Sequence, residues 1–243
     1  GIRDRSPSRG LGDVYKRQFQ DHEKTINNLI NVSNRVVLDI GCGAGRIARI
    51  LAKNGGRVIG IDPSVTQLDR AKALSASNTV KYVRGLGESL PVRNSSIDFC
   101  IFFNSLHHVP SDYIERAIHE AGLSLKKNGI LYVAEPIAYG PLFELSKSFN
   151  DETIVREKAY SALLNIKQSE MIMDSEHYYQ SHIYYSSFEE YKKNSISIDT
   201  NRSTFFSEHD KELRKSFETL GEKIRDAWCF TQYTRVNIFH AVN

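Results

Sequence analysis

The chain has 243 residues, of which 40% are hydrophobic, 25% charged and 10% aromatic. This is ordinary globular composition, and it excludes a disordered, collagen-like or fibrous protein. The formal net charge is only +3, a weak field that gives little support to an anionic partner such as nucleic acid. No apolar run reaches the roughly 18 residues needed to cross a membrane, so no transmembrane helix is predicted.

The first eighteen residues differ from the rest of the chain. Residues 1–18 show no apolar periodicity and mix Arg, Ser, Gly and Pro. They carry five basic and two acidic side chains, which leaves 27 of each sign in residues 19–243. A basic arm for nucleic acid or membrane is one interpretation. The segment also resembles translated adapter or vector sequence, so we expect a non-native or disordered tail outside the domain.

The three cysteines indicate the redox setting. Cys42, Cys100 and Cys229 are odd in number and far apart, which fits neither a disulfide framework nor a zinc spacing. A reduced, cytoplasmic location is therefore expected.

Helix and strand patterns alternate in the first half of the chain. The predicted elements, in chain order, are a helix at 19–31, a strand at 35–40, a helix at 47–53, a strand at 57–61, a helix at 64–74, strands at 80–84 and 97–104, a helix at 113–125 and a strand at 130–135. Residues 97–104 are almost continuously apolar, as expected of a strand buried on both faces of a parallel sheet. The alternation predicts an open, doubly wound α/β sheet.

The pattern changes after Pro136. The predictions are a helical stretch at 142–165 broken at 149–151, a segment at 178–186 rich in Tyr, His and Ser, a short helix at 188–193, a strong helix at 207–225 and a final strand at 234–242. No linker separates a second domain, so 19–243 is predicted to be one domain. Its core is 19–136, and 137–243 supplies a substrate cover and C-terminal elements.

A glycine-rich turn joins the first predicted strand to the next helix. It reads Gly41-Cys42-Gly43-Ala44-Gly45, and its position between strand and helix is typical of a loop that approaches a ligand through its backbone. Asp62 ends the second strand, where an acid can accept hydrogen bonds from ribose hydroxyls. Arg46 stands where a dinucleotide motif has its third glycine, and the Asp39 carboxylate suits a cationic ligand better than a pyrophosphate.

In four blocks the sequence resembles the class I S-adenosylmethionine (SAM)-dependent methyltransferases: VVLDIGCGAGRIARILA, VIGIDPS, GLGESLPVRNSSIDFCIFFNSLHHV and NGILYVAEP. The resemblance covers residues 19–136. It implies SAM as the cofactor and a mainly parallel, seven-stranded Rossmann-like sheet with an antiparallel last strand.

The resemblance also implies the cofactor contacts. The glycine loop, with Gly41, Cys42, Gly43 and Gly45, would line the methionine end of SAM. Asp39 would reach its amino group, Asp62 its ribose hydroxyls, and Pro63 would lie beside the adenine.

Two further segments belong to this implied site. In Leu86-Gly87-Glu88, Leu86 replaces the acid that usually accepts from the adenine amino group, which leaves Gly87 or Glu88 to contact the adenine. Asn104 would border the transferred methyl. Base candidates are His107, His108, Glu135 and Tyr139, and none of them stands out. No metal site is expected, because adjacent histidines point apart and His107, His108 and His119 show no carboxylate at ligand spacing.

The absence of one sequence motif limits the classes of molecule that can be the methyl acceptor. Enzymes that methylate exocyclic amino groups of nucleic acids usually carry a [DNS]-P-P-[YF] tetrad after the fourth strand, whereas this chain reads Asn104-Ser105-Leu106-His107. We therefore predict a small-molecule acceptor, with no nucleic-acid or membrane partner. The tyrosines and histidines at 142–187 form either an aromatic acceptor pocket or ordinary packing.

Two other functions are alternatives to a methyltransferase. The second is a catalytically silent SAM-binding sensor or partner subunit, and the third is an NAD(P)-dependent oxidoreductase. The sequence does not fix the oligomeric state.

Overall fold

The structure, a computed structural model, describes residues 21–75 and 80–242. The predicted tail at 1–18 lies outside the described residues. The helices are α1 (His22–Leu29), α2 (Arg46–Lys53), α3 (Val65–Leu74), α4 (Ile114–Ser124), α5 (Pro141–Ser146), α6 (Thr153–Leu164), α7 (Phe188–Ile198), α8 (Arg202–Glu208) and α9 (Asp210–Leu220). The strands are β1 (Val36–Ile40), β2 (Arg57–Asp62), β3 (Val80–Arg84), β4 (Ile97–Phe103), β5 (Leu125–Pro136), β6 (Met171–Tyr185), β7 (Glu222–Ile224) and β8 (Ala227–Ala241).

Within the described ranges, the strands form one sheet in the order β3-β2-β1-β4-β5-β8-β6, and β7 pairs with β8 off this path. The strands β1 to β5 pair in parallel, and the C-terminal strands are antiparallel. The predicted doubly wound α/β fold is confirmed. The short hairpin strand β7 brings the sheet to eight strands rather than the seven that the resemblance implies.

The order of the strands determines where a ligand can lie. β1 sits between β2 and β4, so the connections from β1 and from β4 leave the sheet on opposite sides of a crevice. Ile40 pairs with Ile61 on one side and Phe102 on the other, so these strands end level with one another. In open α/β sheets, ligands bind at such a switch point, outside the carboxyl ends of the strands.

The described chain divides into two compact units. The α/β unit comprises 23–136, 154–177 and 235–242, and the aromatic unit comprises 21–22, 137–153 and 178–234. The assignment of 19–243 to a single domain stays a prediction. Among the described residues, no helix combines the length and apolarity needed to span a membrane.

The core of the α/β unit is mainly aliphatic and includes residues of the strands β1, β4 and β5. Strand β4 is buried along most of its length, and α4 packs its apolar residues into the same cluster. The fully buried members include Leu38, Phe102, Leu106, Ala117 and Val133. Burying a leucine, valine or phenylalanine side chain stabilises the fold by about 1.5–3 kcal/mol.

The aromatic unit has a core of a different composition. Phe206, Phe217 and Phe230 are fully buried there, and Phe188, Tyr191, Leu145 and Leu213 complete the cluster. The Phe217 and Phe230 ring centroids lie 4.9 Å apart with a 49° tilt, within the range that aromatic pairs prefer.

Three elements differ from the sequence-based predictions. The strand expected at 130–135 begins at Leu125 and contains a bulge, since Ile97 pairs with Leu125 and Phe99 pairs with Ile130. The segment at 178–186 belongs to the long strand β6, which ends the sheet order. The single helix expected at 207–225 is divided between α8 and α9, because His209 leaves helical geometry at φ −117° and ψ 24°. Its last predicted turn is instead the strand β7.

Candidate functional site

Three glycines of the loop after β1 have a backbone conformation that favours glycine. Gly41, Gly43 and Gly45 have φ values of 72°, 52° and 74°, in the left-handed region that costs other residues roughly 1–2 kcal/mol. At two of these positions there is also no room for a side chain. A Cβ on Gly41 would lie 2.5 Å from the Ser105 Cβ, and one on Gly45 would overlap the Tyr82 ring.

Gly43 differs because a Cβ there would meet nothing within 4 Å. Its backbone therefore faces open space at the carboxyl ends of the strands. Such a position lets a ligand approach the main chain closely, as the sequence analysis expected of this loop.

Asp62 joins the glycine loop to the end of β2. Its Oδ2 accepts a hydrogen bond from the Gly43 N–H at 2.8 Å, and its Oδ1 accepts one from the Ser64 N–H at 2.9 Å. Each carboxylate oxygen can accept a second bond, so Asp62 can hold the loop and still accept from ligand hydroxyls. Pro63, the next residue, is exposed.

Asp39 is buried near the end of β1, with 1% of its surface exposed. Its Oδ2 has no hydrogen-bond partner. Burial raises the pKa of the Asp39 carboxyl to about 7, a backbone hydrogen bond from Ala48 opposes that rise, and the charge of Asp62 adds to it. A buried carboxylate without a partner is costly, so a cation bound at this position would stabilise its ionised form.

Asn104 follows β4 with φ 51°, and its N–H donates to the Ala134 carbonyl at 2.8 Å. The side-chain Oδ1 is buried and, like the Asp39 Oδ2, lacks a partner. Asn tolerates the left-handed region better than most residues. Two acceptor oxygens are therefore left for a donor ligand at the ends of β1 and β4.

Glu135, near the end of β5, anchors the loop that follows β4. Its Oε1 accepts from the Ser105 N–H at 3.0 Å and from the Leu106 N–H at 2.8 Å, and its Oε2 contacts His107 Nδ1. The Glu135 residue is 2% exposed. Glu135 is one of the base candidates predicted from the sequence, whereas in the structure its carboxylate accepts from two backbone N–H groups and contacts the His107 ring.

The two adjacent histidines have different environments. His107 is buried and His108 is exposed, and their ring centroids lie 4.0 Å apart. The more distant His119, on α4, has its Nδ1 3.4 Å from Glu170 Oε2. The predicted absence of a metal site stays a prediction.

The remaining predicted cofactor residues differ in exposure. Leu86 is 48% exposed and pairs with Ser89 in an isolated bridge, while Gly87 and Glu88 are half-buried. Cys42 is buried in the glycine loop, where burial raises the pKa of its thiol. The cofactor contact of Cys42 and the adenine contacts of Leu86, Gly87 and Glu88 stay predictions.

Sequence analysis missed two residues that shape the site. Ser105 donates from its Oγ to the Ile40 carbonyl at 2.6 Å and packs against Gly41. Tyr82 packs against Gly45 and bonds the Ser75 hydroxyl at 2.9 Å. The signal for Ser105 was its small size directly after a strand end, while Tyr82 carries no sequence signal.

These observations fit a cationic nucleoside cofactor such as SAM. The unpaired Asp39 Oδ2 suits its ammonium group, the open face of Gly43 admits its methionine end, and Asp62 can accept from ribose hydroxyls. The fold and this loop define an α/β protein of the Rossmann-like class with its ligand edge at the β1/β4 switch point.

Comparison with known proteins gives the family of this segment. Residues 38–133 match the family model described as a methyltransferase domain. An uncharacterized methyltransferase of Mycobacterium sp. (strain JLS) is 31% identical over 107 residues, which are 44% of this chain and 41% of that protein. One of Synechocystis sp. is 32% identical over 114 residues, which are 47% of this chain and 53% of that protein. The chain thus spans about half the length of these curated relatives.

A solved structure extends the likeness in fold. A candidate methyltransferase from Bacillus halodurans C-125 superposes with a TM-score of 0.61 at 18% identity, covering 90% of this chain and 98% of that one. The match of residues 38–133 to a methyltransferase domain confirms the resemblance to methyltransferases that the sequence motifs indicated.

Proposed function

We propose that the protein transfers a methyl group from SAM to a small-molecule acceptor. The observation that supports this best is the buried, unpaired Oδ2 of Asp39 next to a loop of three left-handed glycines. That combination suits a ligand that is cationic at one end and needs close contact with the backbone. It does not suit a pyrophosphate, which the Asp39 carboxylate would repel.

Four residues of the α/β unit have a binding role in this proposal. Asp39 pairs with the ammonium group, Gly43 gives the methionine end room, and Asp62 accepts from the ribose hydroxyls. The Oδ1 atom of Asn104 accepts a hydrogen bond from a donor group of the ligand. SAM supplies a methyl on a positively charged sulfur, and the chain's contribution is to hold the acceptor heteroatom in line with that bond, which by itself can supply much of the rate.

A proton acceptor is required only where the methylated group is protonated. We propose His108 as the more accessible candidate and His107 as a buried one, while Glu135 holds the loop instead. For acceptor binding we propose the tyrosine-rich aromatic unit, which includes Tyr139 and Tyr233 with ring centroids 5.2 Å apart. A cytoplasmic location is supported by three free, buried cysteines.

The proposed cofactor is tested by thermal shift with SAM, S-adenosylhomocysteine (SAH), NAD and NADP in parallel. We expect stabilisation by SAM and SAH, because a ligand that binds only the folded state raises its melting temperature. Stabilisation by NAD alone would overturn the proposal in favour of an oxidoreductase.

A catalytically silent SAM-binding protein is a second candidate. It is favoured by the exposed Leu86, which offers no carboxylate to the adenine amino group, and by the engagement of Glu135 in the loop. Incubating the protein with SAM and a metabolite extract separates the two. Conversion of SAM to SAH above a boiled-protein control supports the transferase, and SAM binding without conversion supports the silent protein.

A further inference from the structure

The carboxylate of Glu135 has an arrangement that cofactor binding does not explain. One oxygen receives two backbone N–H groups of the loop after β4, and the other contacts the His107 ring. Both side chains of the pair are buried, with 2% and 3% exposure for His107 and Glu135. Groups buried to this degree need compensating hydrogen bonds to remain charged.

The chemistry of the pair determines which ring nitrogen carries a proton. An ionised carboxylate can only accept hydrogen bonds, and a neutral imidazole donates from one nitrogen and accepts at the other. Contact between Glu135 Oε2 and His107 Nδ1 is therefore favourable when Nδ1 carries the proton. The neutral ring then has its lone pair on Nε2, which accepts from a donor group.

We propose that Glu135 is a positioning residue that fixes the loop at Ser105 and Leu106 and holds His107 with its proton on Nδ1. The proposal rests on the proposed function for its role in methyl transfer. There, a loop held in one geometry after β4 would keep the carboxyl end of that strand fixed for the reacting groups.

Glu135→Gln is the sharpest variant because it keeps size and shape. A glutamine has one acceptor oxygen and one donor NH₂ group. The two backbone N–H groups need the oxygen, so the NH₂ group faces His107 and can bond Nδ1 only when that nitrogen has lost its proton. The substitution should therefore move the ring proton to Nε2 and leave the loop bonds in place.

The experiment is ¹⁵N NMR of the histidine rings of the full chain at mildly alkaline pH. The His107 signals are assigned by their loss in His107→Gln. We expect wild-type His107 to be protonated at Nδ1, and we expect Glu135→Gln to lose that Nδ1–H signal and gain the Nε2–H form. A wild-type ring protonated only at Nε2, or an Nδ1–H signal that survives in Glu135→Gln, would overturn the proposal.

The chain supplies a matched control. His119 and Glu170 form a second histidine–glutamate contact, but that pair is more exposed and its atoms lie 3.4 Å apart. Glu170→Gln should leave the His107 spectrum unchanged. A change in His107 on this substitution would show that the spectrum responds to net charge, which would overturn the assignment of the effect to Glu135.

Cofactor binding is measured on the same samples by calorimetric titration with SAH. Glu135→Leu, which leaves two buried N–H groups unpaired, should bind SAH at least about ten-fold more weakly than Glu135→Gln, which keeps an acceptor oxygen for them. Unchanged affinity in Glu135→Leu overturns the loop-fixing role, and if that variant fails to fold, the wild-type and Glu135→Gln spectra still decide. If the wild-type protein does not bind SAH, the proposed function is wrong, whereas the NMR result on His107 remains valid.

Discussion

Asp39 carries the clearest electrostatic signal of any single residue in the site. Its carboxyl pKa is raised from 3.8 to about 7, chiefly by burial. Between these values the folded protein binds more protons at Asp39 than the unfolded chain does, so stability falls as pH rises through that window. Relative to Asp39→Asn, ligand-free wild type should lose up to roughly 4 kcal/mol of unfolding free energy from pH 4 to pH 7. Urea unfolding of both proteins across this range measures the difference, and parallel curves would contradict the raised pKa.

The same carboxyl should make cofactor binding depend on pH. A cationic ammonium group pairs with ionised Asp39, so binding below pH 7 must release a proton. SAH affinity should then rise with pH by at most about ten-fold per unit and level off above about pH 7. Calorimetry in buffers of different ionisation enthalpy detects the released proton. Asp39→Asn is the control, and a pH dependence that persists in this variant would assign the proton to another group.

Asp62 provides a second test at the scale of one residue. Asp62→Ala should weaken SAH binding by at least about ten-fold, because charge-assisted hydrogen bonds to the ribose are lost. Since Asp62 also holds the Gly43 and Ser64 N–H groups, part of that loss comes from the loop. Asp62→Asn, which keeps one acceptor oxygen, should lie between alanine and wild type in a direct titration. Equal affinity in all three proteins would place the ribose elsewhere.

At the scale of an element, the glycine loop allows backbone strain to be separated from ligand contact. Gly43 and Gly55 both have positive φ, at 52° and 85°, but Gly55 follows α2 and a Cβ there would lie 3.2 Å from the Ser33 Oγ. Gly43→Ala and Gly55→Ala should each lower stability by about 1–2 kcal/mol. Only Gly43→Ala should also weaken SAH binding, because its methyl occupies the open space of the site. Thermal unfolding and titration of both variants check this, and equal SAH affinity would contradict the assignment of that space to the ligand.

The elements also show what sequence patterns can and cannot predict. Strands β1, β2 and β4 were predicted nearly to the residue, because β-branched and aromatic runs ending in turn residues mark buried parallel strands. Asp39, the glycines and Asp62 followed from their places at the ends of those strands. In contrast, β6 was missed because a strand at the end of the sheet order has a mixed burial pattern and needs little apolar regularity. The anchoring of Ser105 by Glu135 joins residues 30 positions apart, a tertiary contact that local patterns do not encode.

At the scale of the whole molecule, the predicted cofactor residues and the aromatic core belong to different units of the chain. All predicted cofactor residues lie in the α/β unit, while the buried phenylalanine cluster lies in the aromatic unit. We propose that one unit binds the cofactor and the other binds the acceptor. Substituting a core residue in each unit separately tests this proposal.

Phe217 and Phe102 form a matched pair for this test, since both are fully buried and lie in the aromatic and the α/β unit respectively. Phe→Ala in a core costs about 3–5 kcal/mol. Phe217→Ala should remove hydrogen-exchange protection from 178–234 and leave protection of 36–62 and SAH affinity near wild type. Phe102→Ala removes the residue paired with Ile40 under the glycine loop, so it should weaken SAH binding. Loss of SAH binding in Phe217→Ala equal to that in Phe102→Ala would show that the cofactor site requires the aromatic core, which would reject the separation of roles.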